Sequence, residues 1–149
     1  MPRYPTPRKF VPVNPNKYVG DPNNIVCRSG IELRYMKLFD ENPNVIKYSS
    51  EEFHIPYISP VDGKEHRYFP DFLIQVKTKT GDLRNILLEI KPSSDLIQPV
   101  KGKKKAKTFL SEAMTWEINN AKWKFAEAFC KKHNMKFMVV TEKEIKYKW

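Results

Sequence analysis

Asp71, Glu89 and Lys91 are the side chains in this sequence whose types and spacing suit chemistry. Asp71 lies in the run Arg67-Tyr68-Phe69-Pro70-Asp71-Phe72, and Glu89 and Lys91 close the run Leu87-Leu88-Glu89-Ile90-Lys91. Side chains alternate along a strand, so Glu89 and Lys91 share one face while Leu88 and Ile90 take the other. Charges in an otherwise apolar strand are costly unless they have partners. Antiparallel pairing of the Tyr68 to Val76 run with Asn85 to Ile90, across the loop holding Gly81-Asp82, brings Asp71 beside Glu89. Two carboxylates and a lysine so placed make a hard, oxygen-rich site for a divalent cation, with an ammonium beside the attacking water.

The elements needed to hold these groups are legible around them. Ser29-x-x-Glu32 is a capping-box pattern opening a helix over Ser29 to Asn42, with Ile31, Tyr35, Leu38 and Phe39 on its core face. Glu32 therefore has two readings, a helix cap or an acid of the site. Val45 to Tyr48 and Glu52 to Ile58 read as strands, the second limited to an edge or a short strand by Pro56 and Pro60. Asp62-Gly63 predicts a hairpin into a strand over His66 to Val76, and Arg84 to Lys91 forms the next strand. A long helix is expected over Ser111 to His133, with Met114, Ile118, Ala121, Phe125, Ala128 and Phe129 as its buried stripe. Asn134 is its C-cap, Lys136 to Thr141 a further strand, and Thr141-x-x-Glu144 a short closing turn.

Charge points to a partner. The 149 residues include 27 Lys and Arg against 17 Asp and Glu, a net charge of +10, which predicts an anionic partner, a phosphate backbone first, or else serves solubility alone. Lys101, Lys103, Lys104, Lys105 and Lys107 follow directly after the Glu89 strand, either as a DNA-contacting loop or as a solvated charge run. Residues 1–24 hold six of the twelve prolines and four basic residues against one acid. They read as an extended arm with Tyr4, Phe10, Val11, Val13 and Tyr18 as apolar anchors, or else as a disordered tail. The length suits one domain, residues 25–149, with a real core. Cys27 and Cys130 show no metal-ligand spacing and read as reduced thiols. His54, His66 and His133 lack zinc-site spacing, and there is no Gly-rich phosphate loop or nucleophile elbow. No segment has the length of a membrane span, and the N-terminus lacks the apolar stretch of a secretory signal.

The Pro70-Asp71 and Glu89-x-Lys91 spacing resembles the restriction-endonuclease-like superfamily, and Glu32 sits on a helix where that superfamily often carries a third acid. Over nearly its full length the chain is similar to the head completion nucleases of tailed bacteriophages. The matching pieces include Lys17-Tyr18, Gly20-Asp21-Pro22, Arg28-Ser29, Ile55-Pro56-Tyr57, Arg67-Tyr68-Phe69, Glu89-Ile90-Lys91-Pro92, Asn119 and Lys122-Trp123-Lys124. Pro70 before Asp71 is a departure toward the broader superfamily that leaves the acid in place.

The resemblance implies an α/β fold, a small restriction-endonuclease-like domain with a central mixed β-sheet flanked by helices, behind a proline-rich N-terminal arm. It implies that Asp71 and Glu89 bind Mg²⁺, with Mn²⁺ as an alternative ion, helped by the backbone carbonyl of Ile90. Glu32 would bind or position a metal-linked water, and Lys91 would orient or activate the attacking water. Contacts to double-stranded DNA are expected from Arg67, Lys101, Lys103, Lys104, Lys105, Lys107, Asn119 and Lys122. The biology implied is endonuclease processing of packaged DNA or DNA ends late in head assembly, before tail joining. It would take place in the host cytoplasm, with portal or neck proteins as partners, virion association compatible with it, and no membrane. A homo-oligomer is compatible with this reading. The rivals are a transposon-end or junction-resolving nuclease of the same fold, and a non-catalytic DNA-binding or portal-bridging virion protein.

Overall fold

The computed structural model describes residues 7–146. In chain order the first half holds β1 (Arg8–Phe10), β2 (Ile25–Cys27), α1 (Gly30–Glu41), β3 (Val45–Ser50) and β4 (Ile55–Ile58). The second half holds β5 (Glu65–Tyr68), β6 (Phe72–Lys77), β7 (Leu83–Ile90), α2 (Ala106–Lys132) and β8 (Lys136–Val140). The main sheet has the order β3-β6-β7-β8. Its first two pairings are antiparallel and β7 with β8 is parallel, which makes the expected mixed sheet. The parallel pair needs a crossover, and α2 supplies it.

β7 is a central strand of this sheet, and its alternation divides the core. Ile86, Leu88 and Ile90 pack with Phe72, Ile74 and Val76 of β6 under α1, against Tyr35, Met36 and Phe39. Leu87 faces the other way, into a smaller core with Ile55, Tyr57, Tyr68, Ala126 and Cys130 beneath α2. Residues of the same parity as Leu87 therefore look toward α2, and Glu89 and Asp71 are among them.

α1 starts where its cap predicts. Ser29 Oγ accepts from Glu32 N–H at 3.1 Å. The Glu32 carboxylate reaches back one residue further than a capping box requires, accepting from Arg28 N–H at 3.0 Å. The far end of α1 is held by residues 13–18. Lys17 Nζ donates to the carbonyls of Phe39, Asp40 and Asn42 at 2.7–2.9 Å, satisfying last-turn acceptors that the helix itself leaves open. Asp40, 1% exposed, accepts from Val13 N–H at 2.8 Å and from Tyr48 O–H at 3.0 Å. Phe10 and Tyr18 are buried in the α1 core, while Val11 and Val13 point outward. Tyr4 lies outside the described residues.

Several element boundaries differ from the sequence reading. The single strand expected over His66 to Val76 is two, β5 and β6, interrupted at Phe69-Pro70-Asp71. Pro70 has no N–H to donate, and the chain uses this break to leave the β4–β5 hairpin and enter the main sheet. In that hairpin Gly63 takes φ +69°, a left-handed conformation that favours glycine. α2 begins at Ala106, five residues before the expected start at Ser111, because Ala106 to Leu110 continue the helix without a capping side chain. Of its expected stripe Ile118, Ala121 and Phe129 pack beneath it alongside the buried Ala126 and Cys130, whereas Met114 and Phe125 are each 39% exposed. His133 is the C-cap of α2 and Asn134, at φ +56°, is the left-handed residue just beyond it, and Thr141 and Glu144 form a full capping box on the last short 3-10 turn.

Candidate active site

Glu89 projects from the end of β7 and Asp71 from the residue before β6, where the register continues the pairing of Phe72 with Leu88. Asp71 Oδ2 accepts from Ile90 N–H at 2.7 Å, a bond that ties it to the backbone between Glu89 and Lys91. Glu89 is 8% exposed. Its Oε2 accepts from Tyr68 O–H at 2.7 Å and its Oε1 lies 3.6 Å from Lys91 Nζ. The turn after β7 is held in turn by Glu142, which accepts from Ser93 N–H at 2.9 Å and from the Ser93 hydroxyl.

Burial and mutual repulsion make the two acids reluctant to ionise together. Burial, and then the charge of Glu89, push the Asp71 carboxyl up to about 8. Glu89 is raised too, chiefly by burial, with the Tyr68 hydrogen bond and then Lys91 and Lys122 acting against that rise. Two close carboxylates that resist ionisation are relieved by a cation. Lys122 comes from α2 to the same place. Its Nζ sits 5.6 Å from the Tyr68 ring centre and 5.8 Å from that of Tyr57. Burial lowers its pKa, and the charges of Glu89 and Asp71 work to keep it protonated.

Glu32 approaches from elsewhere. α1 packs on the sheet face opposite the one carrying Asp71 and Glu89, and Glu32 stands in its first turn. Its charge still reaches both carboxyls and Lys91. Burial raises the Glu32 carboxyl, partly opposed by its bond from Arg28 N–H. Glu51, in an unusual left-handed conformation at φ +53°, adds a further nearby negative charge and pairs with Arg28 at 3.4 Å.

A cleft of about 630 Å³ opens beside Lys91, lined also by Lys104 and Asn119 together with Ile97, Val100 and Trp116. The structure therefore brings Lys91 and Asn119 into one cavity. Lys101, Lys103, Lys105 and Lys107 are exposed on the approach to α2 and its first turn. Lys104 is engaged by Glu112 at 2.6 Å. Cations at a helix N-terminus oppose the macrodipole, so this lysine cluster works against stability and concentrates positive potential at one point. Arg67 alternates with Tyr68 along β5 and is exposed away from Glu89. Tyr68 has no part in the sequence-derived site. Its link to Glu89 depends on the break at Pro70, which the alternation pattern hides.

Among the described residues no group of three or more His, Cys, Asp or Glu side chains could hold a metal ion. A pair of buried, oxygen-only donors nonetheless fits Mg²⁺, which is commonly held by one or two carboxylates and completes its shell with water and substrate phosphate. Asp71 Oδ1 takes no hydrogen bond among the described residues, and Glu89 Oε1 faces only the Lys91 ammonium, so each acid has an oxygen to offer.

Residues 42–142 match the family described as TnsA-like endonuclease N terminal, a stretch that contains Asp71, Glu89, Lys91 and Lys122 but not Glu32. The chain is also 38% identical over 138 residues to the head completion nuclease of Enterobacteria phage T4, covering 90% of this chain and 89% of that protein. The aligned length exceeds the TnsA-like stretch, so the likeness extends beyond the nuclease core. With a mixed sheet that sets an acid pair and a lysine at the ends of its two central strands, the chain belongs to the head completion nucleases, a restriction-endonuclease-like family with a TnsA-like endonuclease core.

Proposed function

We propose that this protein is a divalent-cation-dependent endodeoxyribonuclease that cuts double-stranded DNA late in phage head assembly. The observation supporting this most directly is the Asp71–Glu89 pair, buried together with Lys91 at 3.6 Å and Lys122 close by. Asp71, Glu89 and the Ile90 carbonyl would hold Mg²⁺ or Mn²⁺, and Glu32 would act on that ion through water. The bound ion supplies a lowered pKa for the attacking water and charge stabilisation for the phosphate. Lys91, as an ammonium, orients the attacking water, and Lys122 holds positive charge on the α2 side of the acids. The cleft with Asn119 admits the strand, while Arg67, Lys101, Lys103, Lys104, Lys105 and Lys107 draw in the phosphate backbone. A purely structural virion role would not need two buried acids that strain against each other.

Head completion, the name carried by the T4 relative, is the role we assign to this chain. Portal or neck proteins are the partners that role suggests, with the host cytoplasm as the place of assembly. The test is incubation of supercoiled plasmid with purified protein. Nicking with Mg²⁺ that disappears with chelator and in Asp71→Ala supports the reading, and absence of nicking by folded wild-type protein at any Mg²⁺ or Mn²⁺ concentration overturns it.

A further inference from the structure

We infer that Tyr68 is a positioning residue of the active site: its hydroxyl sets which oxygen of Glu89 is presented to the cation, and its ring face holds Lys122 beside the acids. This rests on the reading of Asp71 and Glu89 as the cation-binding pair.

A glutamate side chain has three rotatable bonds, and at the end of a strand it can present either oxygen. Here Oε2 is taken by the Tyr68 hydroxyl at 2.7 Å, which leaves Oε1 on the side of Lys91. Tyr68 itself has little freedom. It is 3% exposed and packed in the smaller core with Ile55, Tyr57, Leu87, Ala126 and Cys130. It comes from the β4–β5 hairpin rather than the main sheet, so it carries the position of a separate element to the acid. Packing alone would be served as well by phenylalanine. A buried tyrosine hydroxyl needs a partner, and this one takes the proposed ligand rather than a backbone carbonyl.

The ring makes a second engagement. Lys122 Nζ lies over the faces of Tyr68 and Tyr57 at 5.6 and 5.8 Å, where the ring quadrupole attracts an ammonium. Next in sequence, Trp123 has a buried Nε1–H without a hydrogen-bond partner, yet close enough to Tyr68 to act on its hydroxyl oxygen. A buried orphan donor in a folded protein calls for a reason. A small shift of the Tyr68 hydroxyl would let it accept from Trp123 while donating to Glu89. Outer partners of this kind orient metal ligands, and losing one commonly weakens metal affinity or activity 10–100-fold.

Two variants separate the hydroxyl from the ring. Tyr68→Phe keeps the ring and removes the hydroxyl; Tyr68→Leu removes both. Mg²⁺ binding to DNA-free protein is measured by calorimetry, plasmid nicking is followed against Mg²⁺ concentration, and thermal melting checks the fold. For Tyr68→Phe the expected result is Mg²⁺ binding weaker by about 10-fold or more, with nicking recovered near the wild-type rate at saturating Mg²⁺. Tyr68→Leu should weaken Mg²⁺ equally and also lose rate at saturating Mg²⁺, because Lys122 is released. A folded Tyr68→Phe protein that binds Mg²⁺ as tightly as wild type overturns the inference, provided the wild-type binding is lost in Asp71→Ala. If wild type neither binds Mg²⁺ nor nicks plasmid, the nuclease reading and this inference fall together; if it nicks without measurable binding to the DNA-free protein, an unchanged Mg²⁺ requirement for nicking by Tyr68→Phe overturns this inference alone.

Discussion

Asp71 and Ile90 are joined by a hydrogen bond of 2.7 Å from the Ile90 N–H to Asp71 Oδ2. The bond fastens the acid that precedes β6 to the backbone of β7 midway between Glu89 and Lys91. The three side chains thus share one rigid support, the antiparallel pair at the centre of the sheet. Because that support is well packed on both faces, changes to the acids should alter chemistry without unfolding the protein.

Asp71→Asn is therefore expected to abolish cleavage and to stabilise the metal-free protein. The folded-state carboxyl titrates at about 8, above its ordinary value of 3.8. Between about pH 4 and 8 the native state holds a proton that the unfolded state has released, so wild-type stability falls as pH rises through that window and levels off above it. Asparagine does not titrate, so the variant should pull ahead across the same window. The gain should be largest at pH 8 and above, and it reads as a higher melting temperature of the variant. Melting curves in chelator at pH 4.5 and pH 8 check this, and a constant difference at both values contradicts it. Added Mg²⁺ should stabilise wild type at pH 8 and leave the variant unmoved.

Lys91→Ala should lose turnover by about 100-fold or more while still binding Mg²⁺, since an ammonium is no ligand and proton-handling groups contribute in that range. Calorimetry with Mg²⁺ alone separates the two effects. Loss of Mg²⁺ binding would mean that Lys91 holds Glu89 in place across their 3.6 Å separation rather than acting on water.

The sequence made this site legible because its parts obey a short-range rule. Alternation places Glu89 and Lys91 on one face, and the Gly81-Asp82 turn fixes the pairing that carries Asp71 to them. The cap at Ser29 and the closing box at Thr141 are equally local and sit where expected. What lies beyond that range is hidden from it. Tyr68 reaches Glu89 only because Pro70 splits one apparent strand between two sheets. The face buried by α2 keeps Ile118, Ala121 and Phe129 of the apolar stripe but trades Met114 and Phe125, apolar yet exposed, for the small residues Ala126 and Cys130. Which side of the sheet α1 covers is a tertiary choice, and so is the reach of the Glu32 charge to Asp71 and Glu89.

Glu32→Gln distinguishes its two roles. The bond from Arg28 N–H at 3.0 Å can be kept by the glutamine carbonyl, so a capping role predicts wild-type melting and wild-type nicking. A role through the cation predicts a folded protein with reduced nicking, because the charge that now reaches Asp71 and Lys91 is gone. Matched melting and kinetic measurements decide between them.

The lysine cluster before α2 gives the last prediction. Lys103 and Lys105 are exposed, whereas Lys104 is already neutralised by Glu112 at 2.6 Å. Lys103→Gln with Lys105→Gln removes two cations from a helix N-terminus, where they oppose the macrodipole, so melting temperature should hold or rise slightly. If the two lysines neutralise phosphates, DNA binding should weaken alike for all sequences. The slope of log K against log salt should also become shallower by up to about 0.9 for each duplex phosphate left without its lysine. Lys104→Gln alone should change the slope less, because its charge is shared with Glu112. Nicking at saturating DNA should survive, since Asp71, Glu89 and Lys91 are untouched. An unchanged salt slope would make the cluster a solvated run. Loss of nicking at saturating DNA would instead place it in the chemistry, through the cleft that Lys104 shares with Lys91 and Asn119.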